Sequence, residues 1–181
     1  MNEFTGENLP LTELQHPMLR TAYDYWFLKK GDRELPSRKD ISPEDMKVYL
    51  ANVMLIEVSY DPLDFVYRVF GSGVGRAQGK DYTGKSVRRL EPAEFSNLVW
   101  HQYLDAVTRR TPCLHRVVFS SEAKYEKYQR VTLPLSSDGV IVDKLLAVSI
   151  EDGKFWENIR QVPEVSLPGG REPHAGRAIV P

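Results

Sequence analysis

The sequence is nearly free of cysteine. Its one thiol, Cys113, excludes an internal disulfide framework and suits a reducing compartment. It also lacks an excess of either charge: 24 Lys and Arg against 25 Asp and Glu leave a net charge of −1. That balance supplies no overall field toward nucleic acid or anionic lipid. No run reaches the roughly 18 apolar residues that a membrane span requires. The opening MNEFTGENLPLTELQ lacks the basic-then-apolar order of a signal peptide. These absences predict a cytoplasmic protein with neither a membrane nor a nucleic-acid partner.

Metal and hydrolase signatures are missing too. His16, His101, His115 and His174 have no ligand partner at metal-binding spacing, so the sequence requires no metal and no cofactor. Ser72 sits between Gly71 and Gly73 but lacks the flanking residues of a Gly-x-Ser-x-Gly elbow. The basic residues Arg88, Arg89, Arg109, Arg110, Arg116, Lys124, Lys127 and Arg130 are scattered over loops and strands and balanced by acids. They read as solvated faces, not a nucleic-acid stripe.

What is present is 181 residues, enough to bury one substantial core. Residues 1–13 read as a flexible arm. From Leu14 to Lys30, Leu14, Met18, Ala22, Tyr25 and Trp26 recur at helical spacing, with Tyr23 and Phe27 beside them. Gly31 follows as a stop signal. This stripe is wide enough to pack on the domain's own sheet or on a second copy, and Tyr23, Trp26 and Phe27 are the residues that would carry a dimer or partner contact. Ser42-Pro43 opens a short helix through about Tyr49.

Residues 52–60 and 65–70 alternate as two strands around the Asp61-Pro62 turn. A second long helix begins at Glu91-Pro92 and ends at Arg109-Arg110, before Thr111-Pro112. Three further strands follow over 114–120, 127–135 and 141–150, the last two joined by Asp138-Gly139. The final strand is almost continuously apolar, which predicts a central position covered on both faces. The order predicts an α+β fold with a five-stranded antiparallel sheet and a helical insert between strands two and three. Residues 14–151 form the domain, and the Pro- and Gly-rich stretch 152–181 reads as a tail in which Phe155, Trp156 and Ile159 could dock.

One stretch offers two meanings. Gly71, Gly73 and Gly75 follow a strand and precede a short helix, as in a phosphate cradle. A dinucleotide site needs a parallel strand after that helix and an acid about 20 residues on. Here the glycine strand is the second arm of a hairpin, so the run reads as a joint between sheet and insert. Two chemical alternatives stay open: a small-molecule enzyme using Cys113 with His115, and a haem sensor ligated by His101 or His115.

The residues also resemble a known family. Leu35-Pro36-Ser37-Arg38 with Asp40-Ile41, Asn52-Val53, and Tyr67-Arg68-Val69-Phe70-Gly71 match in order and spacing. So do Asp81-Tyr82-Thr83-Gly84-Lys85, Tyr128, and Leu133-Pro134-Leu135-Ser136 ahead of Asp138-Gly139. Over residues 14–151 they resemble the stand-alone, single-domain PAS proteins common in alphaproteobacteria. The resemblance implies a sensory or regulatory module with no catalytic residues, acting through a signalling partner or a homodimer. It also implies a small-ligand pocket between sheet and insert, with Tyr67, Arg68, Val69, Tyr103, Phe119 and Leu133 placed to line it. The resemblance requires only the glycine that ends the strand; Gly73 and Gly75 depart from it.

Overall fold

The computed structural model describes residues 3–120 and 125–151. Six strands form one antiparallel sheet: β1 (Glu3–Leu9), β2 (Val53–Tyr60), β3 (Leu63–Phe70), β4 (Cys113–Ser120), β5 (Tyr125–Leu135) and β6 (Lys144–Glu151). Their spatial order is β1-β4-β5-β6-β2-β3. Helix α1 (Pro17–Lys30) precedes β2, while α2 (Ser72–Gln78) and α3 (Ala93–Arg109) form the insert between β3 and β4. The class is the predicted one, with one strand more. The tail over 152–181, with Phe155, Trp156 and Ile159, lies outside the described residues.

The added strand is β1, which corrects the reading of residues 1–13 as an arm. Its sequence, EFTGENL, alternates too weakly and is too polar to signal a strand. The sheet's open edge makes it one: β1 pairs with β4 from Glu3↔Ser120 to Leu9↔Leu114. Side chains fasten it. Phe4 packs on Phe95 of α3 at 5.1 Å, Arg116 Nη1 meets Glu7 at 3.2 Å, and Asn8 Nδ2 donates to Asp105 at 2.9 Å.

Strand β6 lies centrally between β5 and β2, and its residues from Leu145 to Ile150 are all buried. Helix α1 covers one face of β5 and β6 with Met18, Leu19, Ala22, Tyr25 and Trp26. Trp26 anchors it, its indole Nε1–H donating 2.8 Å to Pro134 O. Helix α3 covers the other face with Phe95, Val99, Tyr103 and Ala106. The helix expected over 43–49 is instead a 3-10 turn, Pro43–Met46, and a second turn after it, Leu50–Asn52, brings the chain across to β2.

The glycine joint has a steric cause. A Cβ on Gly71 would lie 2.3 Å from Ala51 O and 2.7 Å from Val53 O, and one on Gly73 2.9 Å from Ala51 O. The turn into α2 therefore runs against the backbone that enters β2, and these two glycines permit that approach. With Ala51 pressed against it and only seven residues of helix behind it, this is a packing joint and no phosphate cradle.

Two buried histidines couple the fold to pH. His16 caps α1, its Nδ1 accepting from Met18 N–H at 3.2 Å, and protonation of that nitrogen would remove the acceptor. His115 of β4 is 4 % exposed beside Asp105 of α3, 3.8 Å away. Burial lowers each imidazole from the ordinary 6.5 to about 4, with the Arg130 charge adding to the effect at His115. The unfolded chain therefore binds more protons between those values, so stability is complete above pH 6.5 and lost as pH falls toward 4. Each histidine contributes a slope of at most about 1.4 kcal/mol per pH unit. Urea denaturation from pH 7 to 4.5 will show this fall, and His16→Asn, which keeps a capping acceptor, will flatten it. A wild-type profile flat across that window contradicts the assignment. Separately, Gly71→Ala will destabilise the protein by about 3 kcal/mol in the same assay, since backbone oxygens must move to admit its methyl.

Candidate functional site

Between the sheet and the start of the insert lies a cleft of about 680 Å³. Val74, Ala77 and Gln78 of α2 form one wall, joined by Val48, Ala51 and Asn52 ahead of β2. Tyr128, Arg130, Ser149 and Ile150 form the opposite, sheet-side wall. Phe4, Met18, Tyr82 and Phe95 supply further apolar surface, while Arg76, Lys127, Glu91 and Glu151 bring both charges to the lining. A volume of this size with mixed lining suits a small organic molecule.

The turn motifs position these walls. In Asp81-Tyr82-Thr83-Gly84, Asp81 Oδ1 accepts from Thr83 N–H at 2.8 Å and Gly84 takes φ 76°. The turn then pairs with the edge of β3: Gly84 N–H donates to Tyr67 O at 2.7 Å and Tyr67 N–H to Lys85 O at 3.0 Å. This sets the Tyr82 ring against Phe70 at 5.6 Å, at the side of the cleft. Asn52 Nδ2 donates 2.9 Å to Ser149 O and ties the approach to β2 to the end of β6.

The least ordinary residue in the lining is Arg130. It is 1 % exposed, and its three nitrogens meet neutral acceptors on three elements. Nε donates to Ser149 Oγ of β6 at 3.0 Å, Nη1 to Gln102 Oε1 of α3 at 3.1 Å, and Nη2 to Tyr128 OH at 3.3 Å. Its Cζ lies 5.4 Å from the Tyr103 ring centroid and 5.2 Å from that of Tyr128. Burial pushes the Tyr128 phenol up to about 12 against the opposing pull of Arg130, and burial likewise raises Tyr67, so both are neutral at pH 7. No carboxylate of the described residues forms an ion pair with Arg130. Sequence reasoning placed Arg130 among solvated surface residues. Only its cross-strand neighbours, buried His115 and Ser149, reveal the inward face.

The residues expected to line a pocket lie elsewhere. Tyr67 and Tyr103 do face each other between β3 and α3, their hydroxyls 3.3 Å apart, but both are core and outside the cleft lining. A bulge opposite Leu55 and Ile56 leaves Arg68 without a cross-strand partner. Tyr67 and Phe70 consequently share the inner side, ring centroids 4.9 Å apart, while Arg68 pairs with Glu57 in solvent and Val69 is 44 % exposed. Leu133 is fully buried on the sheet face under α1, the face opposite Arg130. The Phe119 side chain lies outside the described residues. Of the three helix residues, Trp26 is buried in the chain's own core and unavailable to a partner; Tyr23 is half-buried and Phe27 exposed.

The geometry gives the chemical alternatives little support. Burial raises the Cys113 thiol to about 12, and His115 beside it is held neutral, so neither a thiolate nor an imidazolium forms at neutral pH. No histidine or cysteine among the described residues lines the cleft, which removes His101 and His115 as haem ligands there. No group of His, Cys, Asp and Glu among the described residues is arranged to hold a metal ion. No helix among the described residues is long and apolar enough to cross a membrane.

Comparison with known proteins returns one result. A family model described as PAS domain matches residues 14–144, well over half of the chain. No curated protein matches. The sheet order, the helical insert and this match agree: the chain belongs to the PAS domain family, whose members are broadly sensory and regulatory modules.

Proposed function

We propose that this domain is a ligand-responsive regulatory module whose output passes through protein contacts at α1. The observation that carries the reading is the cleft of about 680 Å³ between sheet and insert, lined by both apolar and polar side chains. One side of it, α2, starts at the tight Gly71 joint, and Met18 of α1 belongs to the same lining. A molecule in the cleft therefore touches both the insert and the helix that covers the opposite sheet face. It becomes a signal only by binding two arrangements of these elements unequally.

Native mass spectrometry of freshly purified protein tests the reading by reporting bound small molecules and oligomeric state together. The expected result is a retained or readily exchanged small molecule. A ligand-free mass, together with no thermal shift across a small-molecule library, overturns it.

For output, the partner surface narrows from Tyr23, Trp26 and Phe27 to the outward end of α1. There Phe27 is 56 % and Leu28 60 % exposed, and Tyr23 stacks on Phe27 at 6.2 Å. We assign this patch to a homodimer contact. Light scattering will show a dimer at high concentration that the double variant Phe27→Asp, Leu28→Asp reduces to a folded monomer. A wild-type monomer at every concentration removes the dimer from the proposal. Trp26→Asp is unsuitable for this purpose because it would bury a carboxylate in the chain's own core.

A further inference from the structure

We infer that the cleft recognises a small organic acid, and that Arg130 reads its carboxylate. The inference deepens the ligand-binding reading above and rests on it.

A guanidinium carries five N–H donors and remains charged at any pH at which the protein is folded. Three of the five have acceptors in Ser149, Gln102 and Tyr128. Nη1 and Nη2 each bear two hydrogens and have one acceptor apiece, which leaves one N–H on each nitrogen. A carboxylate has two oxygens, one for each of these donors. Arg130 is almost wholly buried, yet it belongs to the cleft lining.

Charge makes the same point. A buried cation normally has a counter-ion, because desolvation costs several kcal/mol. Here the surrounding groups are phenols, an amide and a hydroxyl, all neutral. Polar atoms near Arg130 are also incompletely satisfied: Gln102 Nε2, on the amide that accepts from Arg130, and Nδ1 of its cross-strand neighbour His115 are buried with no hydrogen-bond partner. Core polar groups are seldom left so. An anion at the cleft end of Arg130 would supply the missing negative charge.

The other walls define the rest of the molecule. One buried guanidinium matches one negative charge, and the outer lining, with Arg76 and Lys127 against Glu91 and Glu151, adds no net cation for a second. Phe4, Val74, Phe95 and Ile150 offer an apolar surface. The chemistry that fits is a monocarboxylate with an aliphatic or aromatic body, seated acid end inward.

The experiment titrates octanoate and benzoate into the full chain by calorimetry, with octanamide and benzamide as neutral counterparts. The acids are expected to bind and to raise the melting temperature with concentration. The amides should bind at least tenfold more weakly. Arg130→Lys, which keeps the charge but loses the guanidinium, should weaken octanoate at least tenfold. Ala77→Trp, which fills the cleft from its α2 wall, should abolish binding while leaving the circular dichroism spectrum native. Equal binding of octanamide and octanoate overturns the acid assignment and leaves a ligand cleft standing. No binding by any of the four probes, with Arg130→Met folded and at least as stable as wild type, overturns the inference by making Arg130 a core cation only. The acid–amide comparison uses unaltered protein, so it decides the question even if Arg130→Lys does not fold.

Discussion

Burial of β6 on both faces is the constraint from which the rest of the architecture follows. Leu145 to Ile150 leave no side of the strand for solvent. A strand of this kind must be central, with sheet neighbours on each edge and a cover above and below. Strands β5 and β2 supply the neighbours, α1 one cover and α3 the other. Trp26 illustrates the coupling. Its indole hydrogen-bonds Pro134 O, so the helix that flanks the domain in sequence is fastened to the centre of the sheet.

The residues that carry the family likeness are mostly devices for building this arrangement. Ser37 and Asp40 form a reciprocal capping box, and Ser136 N–H donates 3.0 Å to Pro36 O, joining the Leu-Pro-Ser and Leu-Pro-Leu-Ser segments. Asp138 Oδ1 accepts from Val140 and Ile141 N–H, both at 2.8 Å, in the loop before β6. Asp81 and Gly84 shape the turn that pairs with β3. Family membership accordingly speaks to fold and general role, while most residues that line the cleft lie outside these turns. Asn52, Tyr82 and Tyr128 are the exceptions that belong to both sets.

Polar groups are distributed unevenly across the sheet. The face under α1 is apolar around Val131, Leu133 and Val148, whereas the insert face carries Arg130, His115, Ser149 and Thr132. A polar inner face has a stability cost that an apolar core would avoid. Two of these residues, Arg130 and Ser149, also line the cleft.

Periodicity sufficed for the long elements. Both long helices, the five predicted strands and the central place of the last one were legible because an apolar stripe or run repeats over many residues. The glycine joint was legible in kind, since its context excluded a phosphate site. Strand β1 was not legible. Its polar residues become a strand only because β4 presents an unpaired edge and Phe95 a ring for Phe4. The side chains of β3 were legible only as far as the bulge, which breaks alternation and turns Arg68 outward.

The sequence by itself therefore determined the fold class, the order of elements and the family, because these rest on local periodicity and turn chemistry. Only the tertiary structure decided the site. Arg130, Tyr128 and Ser149 meet Val74 and Ala77 across more than fifty residues of chain, and Arg130's burial arises from cross-strand register and the fit of α3, neither of which its neighbours in sequence express.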